Sequence, residues 1–313
     1  MKANTFFQHL APLSIKLIGD IEFVAESHIH IGDHEPGSSR LGVMRLSEDL
    51  FIIPSSTWKG CFRSMAEKLL PSMKLKGLER LAVKAYDAGE YRIVEEDEEF
   101  KGYLEDFRMV LHGNSPRVIE HDREWLIRFL NDVGHSEVLE AGSEMIDRNL
   151  HSMAVDYLSC FCPLGRLFGN HVVASKLRFH DTILSLDGGK VEVRPGVGID
   201  RSSATAMEDH LFFVEALPVG TRIRSRFVAD NLQLGASDSR LLAGVLDWTD
   251  KLGVQIGGRK SVGLGLLKPS EANFYIIYLT GENAAKALAN PWKHSEKRTL
   301  NQLLQWLKGD EKG

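Results

Sequence analysis

The sequence predicts an α+β protein: a core of alternating strands and helices, a largely helical insertion, a hydrophilic β-hairpin and a helical C-terminal tail. Three observations carry this. Residues 14–24 and 221–228 alternate between apolar and polar positions, the period of a half-buried strand. A short apolar run, Phe51-Ile52-Ile53, stops at Pro54 and gives way to apolar residues at helical spacing. Residues 75–157 then carry helical patterns in succession, with acids crowded around Glu95-Glu96-Asp97-Glu98-Glu99.

The chain of 313 residues is long enough for one large or two modest domains, and 43% hydrophobic with 26% charged residues is ordinary for a globular protein. A formal net charge of -5 excludes a chain basic all over, but not a local basic groove. Three cysteines are too few for a disulfide framework. No apolar run has the length of a membrane span, and Met1 to Pro12 lacks the regions of a signal peptide. The expectation is a cytoplasmic protein without membrane contact.

In the first strand Ile15, Leu17, Ile21 and Phe23 share one side, with Gly19 between them. It leads into Ser27-His28-Ile29-His30-Ile31-Gly32-Asp33 and a loop holding Pro36, Gly37, Ser38 and Ser39; Val43 to Leu46 reads as a short strand. After Pro54, Ser55, Ser56 and Thr57 are good N-cap types. Trp58, Phe62, Met65, Ala66, Leu69 and Leu70 make the helix's apolar side, and Lys59, Arg63 and Glu67 point away from it. Free amides at a helix start attract anions, phosphate above all. Pro71 ends this helix.

Beyond the insertion, Cys160 and Cys162 stand one residue apart, poor spacing for zinc. A strand follows over 175–181. Gly196-Val197-Gly198-Ile199-Asp200-Arg201 opens a glycine-rich, cation-bearing hairpin that returns through Leu211-Phe212-Phe213-Val214. Arg222, Arg224 and Arg226 then fall on one face of a strand, where they repel one another unless solvated or met by anions. Ser237 is placed to cap a helix with Leu241, Leu242, Val245, Leu246 and Leu252 on its apolar side, ended by Gly253. Next comes Gly257-Gly258-Arg259-Lys260-Ser261-Val262-Gly263-Leu264-Gly265, a glycine cluster able to bring bare amides close to phosphate oxygens, with Arg259 and Lys260 adding charge. It lacks the spacing of a Walker or dinucleotide-binding loop. Phe274 to Leu279 reads as a closing strand, and Leu300, Leu303, Leu304 and Leu307 mark a helical tail.

Several of these stretches resemble one family. Pro54-Ser55-Ser56-x-x-Lys59-Gly60-x-x-Arg63 is similar to the Pro-Gly-Ser-Ser-Leu-Lys-Gly-x-x-Arg signature of the repeat-associated mysterious protein (RAMP) superfamily, RNA-binding proteins of CRISPR systems; Ser55 stands where that signature has glycine and Trp58 where it has leucine. His30-Ile31-Gly32, Cys162 with Leu167-Phe168-Gly169, the segment 196–201, and Gly257, Gly258, Gly263 and Gly265 resemble further family elements in the family's order. The resemblance implies a ferredoxin-like or RNA-recognition-like βαββαβ core over 1–74 and 158–280, with 75–157 as insertion and 281–313 as tail. It also implies a backbone subunit of a type III CRISPR effector complex. Such a subunit holds guide RNA regardless of sequence, beside target RNA and other effector subunits, with self-association into a filament as a further arrangement. The RNA-contacting residues implied are Ser55, Ser56, Lys59, Arg63, Arg201, Arg222, Arg224, Gly257, Gly258, Arg259, Lys260, Ser261, Gly263 and Gly265.

Binding of this kind needs no cofactor. Two catalytic readings stand beside it. Slicing relatives carry an aspartate before the Pro-Gly-Ser-Ser motif and use Mg or Mn; Gly42-Val43-Met44 supplies no acid, but Asp33 and Glu35 lie nearer the start of the same loop, and Asp33 is the candidate. A related branch matures guide RNA without metal through a histidine, for which His30, beside His28, is the candidate.

Overall fold

A computed structural model describes residues 12–32, 40–114, 119–186, 190–199, 202, 206–281 and 284–310. In chain order its elements are β1 (Ile15–Ala25), β2 (Arg40–Leu41), β3 (Leu50–Ile53), α1 (Ser55–Leu69), α2 (Gly77–Ala85), β4 (Tyr86–Asp87), β5 (Glu90–Tyr91), α3 (Glu98–Leu111), α4 (Arg123–Asp132), α5 (Ser136–Glu140), α6 (Ser143–Arg148), α7 (Leu150–Ser159), α8 (Pro163–Phe168), β6 (Leu177–Phe179), β7 (Thr182–Ser185), β8 (Glu192–Ile199), β9 (Ala206–Ala216), β10 (Arg222–Asp230), α9 (Ser237–Leu252), β11 (Val254–Gln255), β12 (Leu266–Tyr278), α10 (Ala284–Ala289), β13 (Ser295–Arg298) and α11 (Leu300–Lys308).

The main sheet is antiparallel and runs β12-β1-β10-β6, with β11 and β13 both paired to the outer edge of β12. Taking β1, β6, β10 and β12 as the four strands of a βαββαβ plan, with α1 and α9 as its helices, gives the fourth-first-third-second order of a ferredoxin-like sheet. The alternation in the sequence chooses the faces. Leu17, Ile21 and Phe23 of β1, Ile223 and Phe227 of β10, and Phe274 and Ile276 of β12 are buried in the core, together with Trp58, Phe62 and Met65 of α1. Phe23 stacks on Trp58 at 5.5 Å, and Phe62 meets Phe179 edge-on at 5.0 Å, so aromatic contacts join β1 and β6 to the same helix.

The opposite face of the sheet carries the arginines at period two. Each meets an acid on the neighbouring strand: Arg222 pairs with Glu22, Arg224 grips Asp20 through two bonds of 2.6 and 2.5 Å, and Arg226 reaches the same carboxylate at 2.7 Å. The register sets these pairs, because Glu22 lies opposite Arg224 and Asp20 opposite Arg226. Burial pushes the Asp20 carboxyl up, but the hydrogen bonds and charges of Arg224 and Arg226 outweigh it and hold the group below its ordinary range. With a depressed folded value, its stabilisation is present above the ordinary carboxylate range and fades as pH falls through the depressed one. Asp20→Asn is therefore expected to cost about 1 kcal/mol at neutral pH and to weaken the acid limb of a stability–pH curve measured by urea unfolding.

The segment between α1 and α8 packs α3, α4 and α7 around Phe107, Phe129 and Tyr157, with the Tyr103 hydroxyl donating to the Ala154 carbonyl at 2.7 Å. At the C-terminus α11 lies on α9 and begins with a capping box between Thr299 and Gln302. The tail also supplies β13, which the charged stretch Ser295-Glu296-Lys297-Arg298 gives no sign of. Among the described residues no helix is long and apolar enough to cross a membrane, and no group of His, Cys, Asp and Glu has the arrangement of a metal site.

Candidate nucleic-acid interface

The sheet end at which β1 exits gathers most of the sequence motifs. Beyond Ala25 the chain runs on as an extended segment between two neighbours. On one side Ile29 exchanges main-chain hydrogen bonds with Leu217, just past β9; on the other the glycine-rich turn docks, Gly258 donating to the His30 carbonyl at 2.9 Å and Gly265 to the His28 carbonyl at 2.8 Å. Gln255 staples the turn from within, its side-chain amide donating to the carbonyls of Lys260 and Leu264, both at 3.1 Å. The Cys61 thiol of α1 donates to the Gln255 carbonyl at 3.5 Å, which ties the helix to the base of the turn.

This packing explains two of the four glycines. Gly257 has φ +73°, and a Cβ there would lie 2.3 Å from the His30 carbonyl oxygen; Gly265 has φ +90°, with 2.0 Å to the Ile256 carbonyl. Both serve a close approach within the chain itself. Gly263 also has positive φ, +84°, but nothing lies within 4 Å of it. Gly265→Ala should thus destabilise by about 3 kcal/mol, strain and overpacking together, against about 1 kcal/mol for Gly263→Ala. Chemical denaturation of the two variants side by side checks the difference.

At the tip, Arg259 sits in the left-handed region and Lys260 to Val262 form a single 3-10 turn. The main-chain amides of Arg259, Lys260 and Ser261 find no acceptor among the described residues, and Lys260, Ser261 and Gly263 are exposed. Lys260 lies close enough to α1 for its charge to act on the Cys61 thiol, although burial is the larger influence and pushes that thiol up. Consecutive bare amides with a cation at hand form a concavity for an anion.

The start of α1 is different. The helix begins at Ser55 with no side-chain cap of its own; instead Asp181, between β6 and β7, accepts from the Ser55 amide at 2.6 Å. That bond, with one to the Ser55 side chain, holds the Asp181 carboxyl below its ordinary range. The expected anion site at the helix start is therefore filled by the protein's own carboxylate. Likewise Ser237 begins α9 without capping it; Asp238 accepts from the Ser239 amide at 3.0 Å. Of the two cations of α1, Arg63 is engaged by Glu67 and the Tyr86 hydroxyl, both at 3.2 Å. Lys59 pairs with no carboxylate among the described residues; partial burial first, then the charge of Arg63, lowers its ammonium from the usual range.

Arg222 and Arg224 lie on the open sheet face in the ion pairs described above. Asp33 and Arg201 fall outside the described residues. His30 is buried, and its Nδ1 donates to the Glu215 carbonyl at 2.8 Å, so the ring is a packing element between the extended segment and the hairpin. His28 pairs with Glu192 at the start of β8. The residues missed in the sequence are Asp181, Glu215 and Phe212, which act through partners distant in the chain, and Gln255, whose amide reaches carbonyls five and nine positions on.

The hairpin β8–β9 stands beside the turn, with β2 parallel along β9. The buried Glu215 carboxylate at its foot accepts from Arg45 at 2.8 Å and from the Val43 amide at 3.3 Å, which anchors it to the chain before β3.

The site thus combines a ferredoxin-like sheet, a glycine-rich turn locked against the exit of its first strand and a hairpin beside that turn. A search of curated proteins finds no match. A family model described as the RAMP superfamily matches residues 22–268, from the middle of β1 past the glycine-rich turn. With the match covering most of its length and both helices of its βαββαβ core, the chain belongs to the RAMP superfamily.

Proposed function

We propose that this chain binds a guide RNA along its sugar–phosphate backbone, without reading bases, as one subunit of a multi-protein type III antiviral complex. The observation that carries this is the tip of the glycine-rich turn, where the amides of 259–261 have no acceptor among the described residues and Arg259 and Lys260 supply charge. Lys59, unpaired among the described residues on the helix behind, adds a third cation. None of these groups distinguishes one base from another, so sequence is read by the guide's pairing with target RNA. The remaining partners are that target RNA and neighbouring subunits, copies of this chain included.

Fluorescence anisotropy with labelled guide RNA and an unrelated RNA of equal length tests the reading. Similar affinities that fall steeply with salt support it; a strong preference for one sequence at matched salt would refute it. The same mixtures, given complementary RNA with Mg or Mn, are expected to leave that RNA intact. Cleavage abolished by Asp33→Ala would replace the scaffold by a slicing subunit, and metal-free cleavage of guide precursor abolished by His30→Ala would replace it by a maturation enzyme.

A further inference from the structure

A side-chain contact fastens the glycine-rich turn to the hairpin. Arg259, in the left-handed region at φ 57° and ψ 34°, holds its guanidinium carbon 4.3 Å from the centre of the Phe212 ring on β9. Across the hairpin, Phe212 is the register partner of Gly196, and a Cβ at Gly196 would lie 2.3 Å from the ring. The ring thus occupies the space that the missing side chain leaves, and the guanidinium covers it. Left-handed backbone is unfavourable for a residue with a side chain and persists where its surroundings fix it. Here the surroundings are the Phe212 ring, the Gly258 bond to His30 and the Gln255 staple just described.

We infer that Phe212 is a positioning residue for backbone binding. Through Arg259 it holds the amides of 259–261 in the shape that receives a phosphate, and it makes the hairpin and the turn present themselves to one nucleic-acid strand as a unit. Gly196 is part of the device, because any larger residue would lift the ring. A guanidinium over an aromatic ring depends on the planar, weakly hydrated cation, and lysine does not reproduce it. The inference rests on the RNA-binding reading above and adds to it a residue that carries no charge and makes no phosphate contact of its own.

The test is an anisotropy titration of labelled single-stranded guide RNA over a series of salt concentrations, using the full chain and the variants Phe212→Leu, Phe212→Tyr, Arg259→Lys and Arg259→Ala. Phe212→Leu and Arg259→Lys should each weaken binding roughly three- to tenfold at every salt concentration, with the salt slope unchanged because no charge is lost. Phe212→Tyr, which keeps the ring, should bind as the wild type does. Arg259→Ala should weaken binding and also remove about 0.7 from the slope. Arg259→Lys lies at the turn and puts no core packing at risk, so it carries the test even if Phe212→Leu lowers the melting temperature. Wild-type affinity in Arg259→Lys while Arg259→Ala binds weakly overturns the positioning role and leaves the RNA-binding reading standing. Wild-type affinity and slope in Arg259→Ala combined with Lys260→Ala overturns both.

Discussion

The double substitution Arg259→Ala, Lys260→Ala is expected to lower the salt slope of guide-RNA binding by about 1.4 and the affinity by roughly tenfold or more at 0.1 M salt. The slope follows from counterion release: each phosphate neutralised on a single strand contributes about 0.7, and on the proposed reading each of the two cations neutralises one. Because the substitutions leave the glycines, the Gln255 staple and the docking on His28 and His30 untouched and remove only the Arg259 stack on Phe212, the melting temperature should fall by no more than about 4 °C. The contrast with Arg222 and Arg224 sharpens the expectation. Those arginines already have Glu22 and Asp20 as partners, and a phosphate would have to displace a carboxylate to use them. Arg222→Ala should therefore change the slope by less than either turn residue does, a difference measured in the same titration.

Lys176→Met is expected to destabilise the fold by about 3 kcal/mol. Lys176 Nζ lies 2.7 Å from the Asp238 carboxylate, and their side chains are only 9% and 1% exposed. Burial pushes the Asp238 carboxyl up, yet the charges of Lys176 and Arg166 and the bonds from Lys176 and the Ser239 amide hold it below its ordinary range. In the wild type this stabilisation is present above the ordinary carboxylate range and is lost as pH falls through the depressed value. Without Lys176 a nearly inaccessible carboxylate keeps the Ser239 amide and the charge of Arg166, itself engaged by Glu79 and Ser237. Burial then prevails and the folded value rises. The variant's deficit should be largest at neutral pH and shrink on acidification, because protonation removes the uncompensated charge. Urea unfolding of both proteins at neutral pH and within the carboxylate range measures this. An equal deficit at both pH values would mean that lost packing, not charge, is responsible.

Local pattern made the core of this fold readable. Ile15, Leu17, Ile21 and Phe23 announce β1 because one strand face must be apolar where the other is wet, and Trp58, Phe62 and Met65 announce α1 for the same reason at a period of 3.6. The glycine cluster is legible as a turn, but the reasons for its glycines are divided. Gly257 serves a contact with His30, information that exists only once the exit of β1 lies beside the turn, and Gly265 serves one with Ile256, set where β11 pairs with β12. Partners of opposite charge were hidden in the same way. Three arginines at period two say nothing of Asp20 and Glu22, some two hundred positions away, and the serines after Pro54 say nothing of Asp181. Phe212 lies in the run Leu211-Phe212-Phe213-Val214, uniformly apolar, so no alternation marks which ring faces the turn. β13 has no apolar pattern either; it is a strand because the free edge of β12 takes up its main-chain groups.

Photo-crosslinking places the RNA most directly. Guide RNA carrying photoreactive uridines is bound to the full protein within its complex and irradiated, and the crosslinked peptides are identified by mass spectrometry. The account predicts adducts within the stretch Gly257–Gly265 at many positions along the guide, whatever the neighbouring bases. Adducts confined to the open sheet face around Arg222–Arg226, with none in the turn, would contradict it.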